Sequence, residues 1–285
     1  MRLFPAWARE LGLGDVRLVG CDLPLHADPR RYREVVERMK QDRRVAGALV
    51  TTHKIDLFEA CREVFDSVDA YAELCGEASA LAVRDGTLSA HATDPISSAR
   101  ALDDFHVSRA PVDVLCLGGG GSATAITVQL MERRLARHIL VADVSAERLA
   151  RIRAVHARLD PGADVRYIAS EGAATNDRLA AELPPGSIVI NATGMGKDVP
   201  GSPLSDGAVL PESGFAWDLN YRGDLGFLRQ ARKQQESRRL HVEDGWRYFI
   251  HGWAVVIGRV FGIDIDPDRT ARLAAIAEPE RQGAP

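Results

Sequence analysis

The sequence predicts an α/β protein built from two domains. At 285 residues the chain is about twice as long as a typical domain of roughly 150 residues. Short apolar runs alternate with amphipathic stretches along its first part, as strands joined by helices do. A continuous apolar run at 112–117 is followed by a glycine-rich turn and a helical pattern, which indicates a second α/β domain. Hydrophobic residues make up 46% of the chain and charged residues 27%, a composition typical of proteins with a buried core.

Charge and hydropathy argue against two classes of partner. The formal net charge is −4 and no block of basic residues is present, so we expect no nucleic-acid partner. No apolar run reaches the roughly 18 residues that span a bilayer, and the amino terminus lacks a basic segment followed by an apolar one. We therefore expect no membrane partner and a cytoplasmic location. The four cysteines form no CxxC pair and lie at no metal-ligand spacing from a histidine, which predicts reduced, structural thiols and no metal.

The first part of the chain, residues 1–107, predicts an N-terminal α/β domain. Its strands are predicted at 17–20, 46–50, 80–83 and 88–91, and its helices at 29–42 and 56–65. A further helix at 97–105 leads out of this domain towards a boundary near 108–111.

Residues 108–242 predict a second domain with a parallel sheet. The pattern indicates a strand at 112–117, a turn at 118–121, a helix at 122–134, and later strands at 139–142, 187–191 and 215–219. The remaining segment, 243–285, contains a stretch at 246–261 that is apolar on most sides and predicts a buried helix. We expect this helix to pack back on the first domain.

The turn at 118–121 carries a GxGxxA pattern formed by Gly118, Gly120 and Ala123. A glycine-rich turn between a buried strand and a helix lets the backbone approach a pyrophosphate, whose charge is met by the helix's free amides and dipole. The bare pattern is weak because glycine turns are common, but here the flanking strand and helix supply the required context. We therefore favour a Rossmann-type dinucleotide-binding domain over a purely structural turn, and assign Gly121 and Ser122 to the same site.

Asp143 closes the next strand, 25 positions after Gly118. A carboxylate there can accept hydrogen bonds from the ribose hydroxyls of the adenosine, which favours NAD. It would repel a 2′-phosphate, and NADP would call for an arginine just beyond it, where Val144 and Ser145 stand. NAD is thus the expected cofactor, with NADP less favoured. The alternative is that Asp143 only caps the turn before the following helix.

Six collinear segments resemble signature blocks of the shikimate and quinate dehydrogenase family, and together they cover nearly the whole chain. The blocks are GALVTTHK at 47–54, ATD at 92–94, LGGGGSA at 117–123, NATGMG at 191–196, DLNY at 218–221 and the EDG that opens a helix at 243.

The resemblance implies a pair of catalytic residues. In that family a lysine and an aspartate face each other across the interdomain cleft, beside the substrate carbon that gives up its hydride; by position these are Lys54 and Asp94. The lysine would take the hydroxyl proton, which it can do when burial lowers its pKa, and the aspartate would orient it. Without the resemblance, a lone lysine after a strand is usually a solvated charge and an aspartate before a proline a helix cap. The family blocks also assign substrate contacts to Thr51 and Tyr221, and the loops that line the nicotinamide to Asn191, Thr193, Gly194, Met195 and Gly245.

Tyr221 has a second interpretation, as a core aromatic residue at the end of a strand.

The residues that depart from the family pattern matter for the choice of substrate. Ala92, Gly252 and Leu49 stand where the family has polar side chains, and the proline before the catalytic lysine is absent. A site built for polar groups loses roughly 1 to 3 kcal/mol for each group left unpaired. The chain also begins inside what resembles the family's first helix, so the clamp for the substrate carboxylate is either upstream or missing.

Other polar residues near the matched blocks are candidates for a changed pocket. These are His53, His91, His251 and Arg247, of which we assign His251 to the substrate site. A histidine near a pocket is more often a satisfied structural residue than a ligand, so each has a structural alternative.

The function expected from the sequence is an NAD-dependent alcohol dehydrogenase acting on a small, cyclic, polyhydroxylated molecule related to shikimate or quinate. One alternative is an authentic shikimate dehydrogenase whose missing contacts are replaced by the histidines. Another is a nucleotide-binding regulator without catalysis, although the presence of both Lys54 and Asp94 argues against it. Whether the protein forms a homodimer is left open.

Overall fold

The computed structural model describes residues 2–105, 111–197 and 199–282. The chain separates into two compact units. One consists of the residues up to Ser97 together with those from Ile250 onward, and the other of Ser98–Phe249. The domain limits predicted from the sequence stand at 107 and 242, and residues 108–110 of the predicted boundary lie outside the described residues.

The first unit is built on a four-stranded mixed sheet. The strand order is β1-β3-β4-β2, in which β3 is antiparallel to β1 and β4, and β2 is parallel to β4. The elements are α1 (Phe4–Glu10), α2 (Pro29–Gln41), β1 (Gly47–Leu49), α3 (Lys54–Cys61), β2 (Ser67–Val68), α4 (Ala70–Cys75), β3 (Ala80–Arg84), β4 (Thr87–His91) and α5 (Asp94–Asp104), the last of which runs on into the second unit.

A two-residue hairpin joins β3 to β4, in the short gap between the strands predicted at 80–83 and 88–91. Asp85 and Gly86 both have positive φ values, of 50° and 78°, which match the twist of an antiparallel pair. The strand predicted at 17–20 is wrong: these residues belong to no strand, and Val19 is 82% exposed. An apolar run becomes a strand only where a neighbouring backbone pairs with it, and the sheet begins instead at β1.

The second unit contains a six-stranded sheet in which every pair is parallel. Its order is β10-β9-β8-β5-β6-β7, which confirms the predicted parallel α/β architecture. The elements are β5 (Val112–Leu117), α6 (Gly121–Glu132), β6 (Ala136–Asp143), α7 (Ala146–Leu159), β7 (Val165–Ala169), α8 (Ala173–Ala181), β8 (Ile188–Asn191), β9 (Phe215–Asp218), α9 (Gly226–Arg238) and β10 (His241–Glu243).

The central strand β5 is buried on both faces. Val114 and Cys116 pack in one apolar cluster with α6 and α7, whereas Leu115 and Leu117 pack in a second cluster with α8 and α9. Alternation of side chains between two buried faces explains why the strand is a continuous apolar run.

The chain ends in two helices, α10 (Trp246–Phe261) and α11 (Pro267–Gln282). Val256 and Val260 of α10 pack against Ala80 of β3, as expected for a helix that returns to the first sheet. Trp7 of α1 donates a hydrogen bond from Nε1 to the carbonyl of Leu273 at 2.9 Å, which fixes α11 to the beginning of the chain. Within the described residues, no helix combines the length and the hydropathy needed to cross a membrane.

A buried histidine connects two helices of the second unit to its edge strand. His156 of α7 lies 2.8 Å from the hydroxyl of Thr127 on α6 and 2.8 Å from the hydroxyl of Tyr167 on β7. Burial lowers the pKa of His156 to about 4, because the charged imidazolium would lose its hydration.

This histidine should make the second unit sensitive to acid. A folded-state pKa below the unfolded value means that the stabilisation is present above the unfolded pKa and is lost as pH falls towards the folded one. Between pH 7 and 5 we expect His156 to cost about 2 kcal/mol of unfolding free energy. Urea unfolding at both pH values should show a smaller loss for His156→Gln than for the unmodified protein. Equal pH dependence in His156→Gln and in the unmodified protein would contradict the assignment.

Candidate functional site

Two charged side chains of the first unit form an ion pair. Lys54 is the first residue of α3 and Asp94 the first residue of α5. The Nζ of Lys54 donates a hydrogen bond to Oδ2 of Asp94, so the pair expected from the family blocks is brought together. The side chains are 22% and 13% exposed, which shields them from bulk water and leaves them accessible to a small molecule.

A buried pair of hydroxyl groups positions Asp94. The backbone N–H of Thr93 donates to Oγ of Ser79 at 2.6 Å, and the two side-chain oxygens lie 2.9 Å apart. Ser79 directly precedes β3, and both residues are buried. The carboxylate is therefore placed by the sheet, which gives the site the rigid support that catalysis requires.

Two of the candidate histidines have structural partners. His91 lies 3.1 Å from Oδ2 of Asp69, whose Oδ1 accepts the backbone N–H of Ala72 and thereby caps α4. His53 precedes Lys54, and its Nδ1 lies 2.9 Å from the hydroxyl of Tyr32. These contacts favour the structural interpretation of both histidines.

Three further predicted residues lie on separate elements. Thr51 is exposed in the turn between β1 and α3, and His251 is buried on α10. Arg247 forms an ion pair with Asp104 of α5, with 3.6 Å between the charged atoms. The substrate-binding roles of Thr51 and His251 stay predictions.

The electrostatics of the ion pair differ from the expected ones. Burial alone would lower the pKa of Lys54, but Asp94 and Glu77 outweigh it, so the pKa is raised above its usual value. The expectation of a lysine with a lowered pKa was therefore wrong, because the amine is paired with the carboxylate of Asp94 and the charge of Glu77 adds to the effect. At neutral pH Lys54 holds a proton that it can donate.

The glycine-rich turn of the second unit has the geometry of an anion-binding helix start. Gly118 has a φ of 109°, and a Cβ there would lie 2.6 Å from the carbonyl oxygen of Ala192. Gly120 is the N-cap of α6 and makes no side-chain cap, so the amides of Gly121, Ser122 and Ala123 remain available to a ligand. This turn can accept a pyrophosphate.

Asp143 ends β6 beside this turn, and its carboxylate is fully engaged. Oδ2 accepts the backbone N–H of Gly119 at 2.7 Å, and Oδ1 accepts that of Ser145 at 2.7 Å. Arg148 binds both oxygens, at 2.8 to 3.1 Å. Burial would raise the pKa of Asp143, but Arg148 and the backbone donors outweigh it and lower the pKa.

The loop after β8 is organised by Asn191. Its Oδ1 accepts the hydroxyl and the backbone N–H of Thr193, and its Nδ2 donates to Met195 and to Asp218. Gly194, with a φ of 75°, allows the tight turn between them. The predicted nicotinamide loop is therefore a preformed structure, whatever it binds.

Two other predicted residues lie at the end of β9 and the start of α10. Gly245 donates its N–H to Asn220 at 3.0 Å, and a Cβ there would lie 2.0 Å from the carbonyl oxygen of Leu219. Tyr221 packs on Trp246 and Phe249, with ring centroids 5.4 and 4.6 Å apart. Gly245 thus has a packing role. Tyr221 is partly buried, and its substrate-binding role stays a prediction.

Comparison with known proteins supports one family. A curated shikimate dehydrogenase (NADP(+)) of Afipia carboxidovorans is 31% identical over 249 residues, covering 86% of this chain and 80% of that protein. The curated shikimate dehydrogenase (NADP(+)) of Lactococcus lactis is 29% identical over 176 residues, a match that spans 59% of each protein. No family model matches the chain.

Solved structures give the same answer for the fold. Shikimate 5-dehydrogenase of Thermus thermophilus, in complex with NADP(H) and shikimate, has a TM-score of 0.68 and 25% identity, covering 96% of this chain and 93% of that one. The 5-ketofructose reductase of a Gluconobacter strain has a TM-score of 0.69 and 22% identity, covering 98% and 92%; at that identity the likeness concerns the fold.

The parallel sheet with its glycine-rich turn and the partly buried ammonium–carboxylate pair define a dehydrogenase, an oxidoreductase of the Rossmann type. With the extent and identity of the Afipia carboxidovorans match, the chain belongs to the shikimate dehydrogenase family.

The expected cofactor, NAD, was wrong. The curated relatives are named for NADP(+), and the Thermus thermophilus structure contains NADP(H). The argument from repulsion fails for a physical reason: Arg148 neutralises Asp143, which leaves no free charge to repel a 2′-phosphate. The carboxylate oxygens are also occupied, so they do not await ribose hydroxyls.

Two residues of these sites escaped the sequence analysis. Arg148 is the third residue of α7, and its side chain reaches back over the helix start to Asp143; a search one turn into the helix would have found it. Glu77 acts on Lys54 from the segment before β3. A glutamate three residues ahead of the strand predicted at 80–83 was the available signal.

The two glycines of the GxGxxA pattern, Gly118 and Gly120, should differ sharply in their tolerance of substitution by alanine. Gly118→Ala would force an L-residue into a positive φ and against the carbonyl of Ala192, so we expect a loss of about 2 kcal/mol or more in unfolding free energy. Gly120→Ala meets no atom within 4 Å, so it should cost only the weaker N-cap preference of alanine, less than about 1 kcal/mol. Urea unfolding of both variants provides the measurement, and equal stabilities would show that the close approach is not needed.

Proposed function

We propose that the chain is an NADP(H)-dependent dehydrogenase of a small, cyclic, polyhydroxylated molecule related to shikimate or quinate. It would interconvert a secondary alcohol and a ketone. The observation that carries the proposal is the ion pair between Lys54 and Asp94, at the first residues of α3 and α5. A cytoplasmic location and a homodimer stay predictions.

The second unit has groups that fit a dinucleotide phosphate cofactor. The uncapped start of α6 would hold the pyrophosphate, since its free amides and dipole favour an anion. The guanidinium of Arg148, about half exposed and already fixed by Asp143, would contact the 2′-phosphate. The bound nicotinamide supplies or accepts the hydride.

The first unit has the groups that handle the proton. A raised pKa keeps Lys54 protonated at neutral pH, so it can give a proton to a carbonyl oxygen as the carbon is reduced. In the reverse direction the neutral amine would take the proton of the hydroxyl, which requires a higher pH. Asp94 fixes the amine and balances its charge.

Three substitutions relative to the family pattern support a substrate that differs from shikimate. Ala92 is buried, and its methyl group cannot bind a hydroxyl. Leu49 packs in the apolar cluster of Val256 and Val260. A Cβ at Gly252 would meet no atom within 4 Å, so there is open space where the family has a long polar side chain. Each change removes a polar side chain that the resemblance to the family assigns to the substrate site.

Removal of the amine should remove most of the turnover. For Lys54→Ala we expect kcat to fall by about 10² or more, the usual contribution of a positioned proton donor. The assay follows NADPH consumption or NADP⁺ reduction with shikimate, quinate and 5-ketofructose and their oxidised or reduced partners. Lys40→Ala, which removes a surface lysine paired with Asp66, is the matched control. Turnover of Lys54→Ala at the control's rate would exclude the lysine from the reaction.

The guanidinium should set the cofactor preference. In Arg148→Ala the carboxylate of Asp143 loses its counter-charge, so we expect KM for NADP⁺ to rise about tenfold or more while KM for NAD⁺ changes little. Steady-state kinetics with both dinucleotides give the ratio. Arg151→Ala, on the same helix and paired with Glu147, should leave it unchanged. An unaltered ratio in Arg148→Ala would place the 2′-phosphate elsewhere.

A further inference from the structure

The backbone of Met195 is held by the side chains around it. Nδ2 of Asn220 donates to the carbonyl oxygen of Met195 at 2.9 Å, and Nδ2 of Asn191 donates to the same oxygen at 3.3 Å. The backbone N–H of Met195 donates to Oγ1 of Thr193 at 3.1 Å. Both polar backbone groups of this residue are therefore fixed, although it lies in the predicted nicotinamide loop, four positions after the end of β8.

A buried carboxylate orients both asparagine amides. Oδ1 of Asp218 accepts hydrogen bonds from Nδ2 of Asn220 at 2.9 Å and from Nδ2 of Asn191 at 3.0 Å. An amide nitrogen carries two hydrogens, so each asparagine can give one to Asp218 and one to Met195. Because a backbone carbonyl only accepts, the nitrogen of each amide, and not its oxygen, must face Met195. The four groups form a closed ring of hydrogen bonds.

This ring joins the loop to the parallel sheet. Asn191 ends β8 and Asp218 ends β9, and the two residues are partners in the register of these strands. Asn220 follows β9; its backbone N–H donates to Oδ1 of Asp218 at 3.0 Å, and its carbonyl accepts the N–H of Gly245 at 3.0 Å. The sheet therefore fixes the carboxylate, and the two amides fix the loop relative to the sheet.

Stability of the fold alone does not explain the carboxylate. Asp218 is completely buried, and burial raises its pKa to about 7 despite the hydrogen bonds from Asn191 and Asn220. A buried carboxyl group costs stability that a neutral residue of similar size would not cost. The hydrogen bonds described at Oδ1 come from Asn191 and Asn220, the two residues that hold Met195. Their arrangement favours a role in placing the loop.

We propose that Asp218 and Asn220 are positioning residues that hold Met195, and with it the nicotinamide of the bound cofactor, in the orientation for hydride transfer. The family blocks assign the loop to the nicotinamide but give neither of these two residues a role. The inference rests on the proposed function, in which NADP(H) binds to the second unit. Both residues act through Met195 and need no contact with the cofactor.

The test compares Asn220→Ala with Asn176→Ala. Asn176 is a buried asparagine of the same unit, and its Nδ2 donates to the carbonyl of Pro203 at 2.8 Å. Both variants remove a buried amide that holds a backbone carbonyl, so a general effect of such a loss would appear in both. Only Asn220→Ala removes a donor from Met195.

Two ligands separate an effect on the nicotinamide loop from an effect on the whole cofactor site. Adenosine 2′,5′-bisphosphate has the adenosine end of NADP⁺ but no nicotinamide. In Asn220→Ala the dissociation constant for NADP⁺, measured by isothermal titration calorimetry, should rise about fivefold, as expected for the loss of one hydrogen bond. The constant for adenosine 2′,5′-bisphosphate should not change, and Asn176→Ala should bind both ligands like the unmodified protein.

The carboxylate is tested by a second pair of variants. Asp218→Asn keeps an oxygen that can accept from both amides, whereas Asp218→Ala leaves them without this acceptor. We expect Asp218→Asn to bind NADP⁺ more tightly than Asp218→Ala does, with no difference for adenosine 2′,5′-bisphosphate. Equal affinities of the two variants for NADP⁺ would contradict the role of the carboxylate.

The same titrations separate this inference from the proposed function. If the unmodified protein binds neither ligand, the proposed function fails and the inference fails with it. If the unmodified protein and Asn220→Ala bind NADP⁺ equally well, the cofactor assignment stands and only the positioning role is lost. Weaker binding of both ligands to Asn220→Ala, or its failure to fold, would also overturn the inference, because the network would then serve the whole domain.

Discussion

The ion pair between Lys54 and Asp94 is the constraint on which the site depends. A cation at the start of a helix opposes the helix dipole, by typically 0.3 to 1 kcal/mol, whereas a carboxylate at that position is favoured. Lys54 occupies the unfavourable position at the start of α3, and Asp94 the favourable one at the start of α5. The hydrogen bond between them offsets the cost to α3. A side chain kept where local electrostatics disfavour it is a sign of function, since folding alone would select a neutral or acidic residue there.

In the second unit the charge that must be compensated is the negative charge of Asp143. A dinucleotide brings several negative charges to the carboxyl ends of parallel strands, where Asp143 stands as a buried carboxylate. Bidentate binding by Arg148 neutralises Asp143 and leaves about half of the guanidinium side chain exposed. The backbone N–H groups of Gly119 and Ser145 also donate hydrogen bonds to this carboxylate. Asp143 therefore connects the arginine to the glycine turn. One pair of residues thus fixes the turn and holds a half-exposed guanidinium group beside it.

Sequence patterns predicted those elements whose side chains are buried in the same way along the whole element. The run at 112–117 is buried on both faces, and the helix at 246–261 is apolar on most sides, so each has the limits that its composition indicates. The segment at 17–20 has the same apolar character but no pairing strand, which no local pattern records. Lys54 and Asp94 were found because the family blocks carry them. Arg148 and Glu77 were missed because their roles arise from helix geometry and burial, and these exist only after the chain has folded.

In the proposed reaction, charged and neutral polar groups would have separate tasks. The ammonium and carboxylate groups would move the proton, and their action would depend on one carbonyl oxygen, which every ketone substrate has. Hydroxyl recognition depends instead on neutral partners, and positions 49, 92 and 252 now have leucine, alanine and glycine. Replacing such partners weakens the binding of one substrate without altering the reaction. A family member can therefore keep its hydride chemistry while its substrate changes.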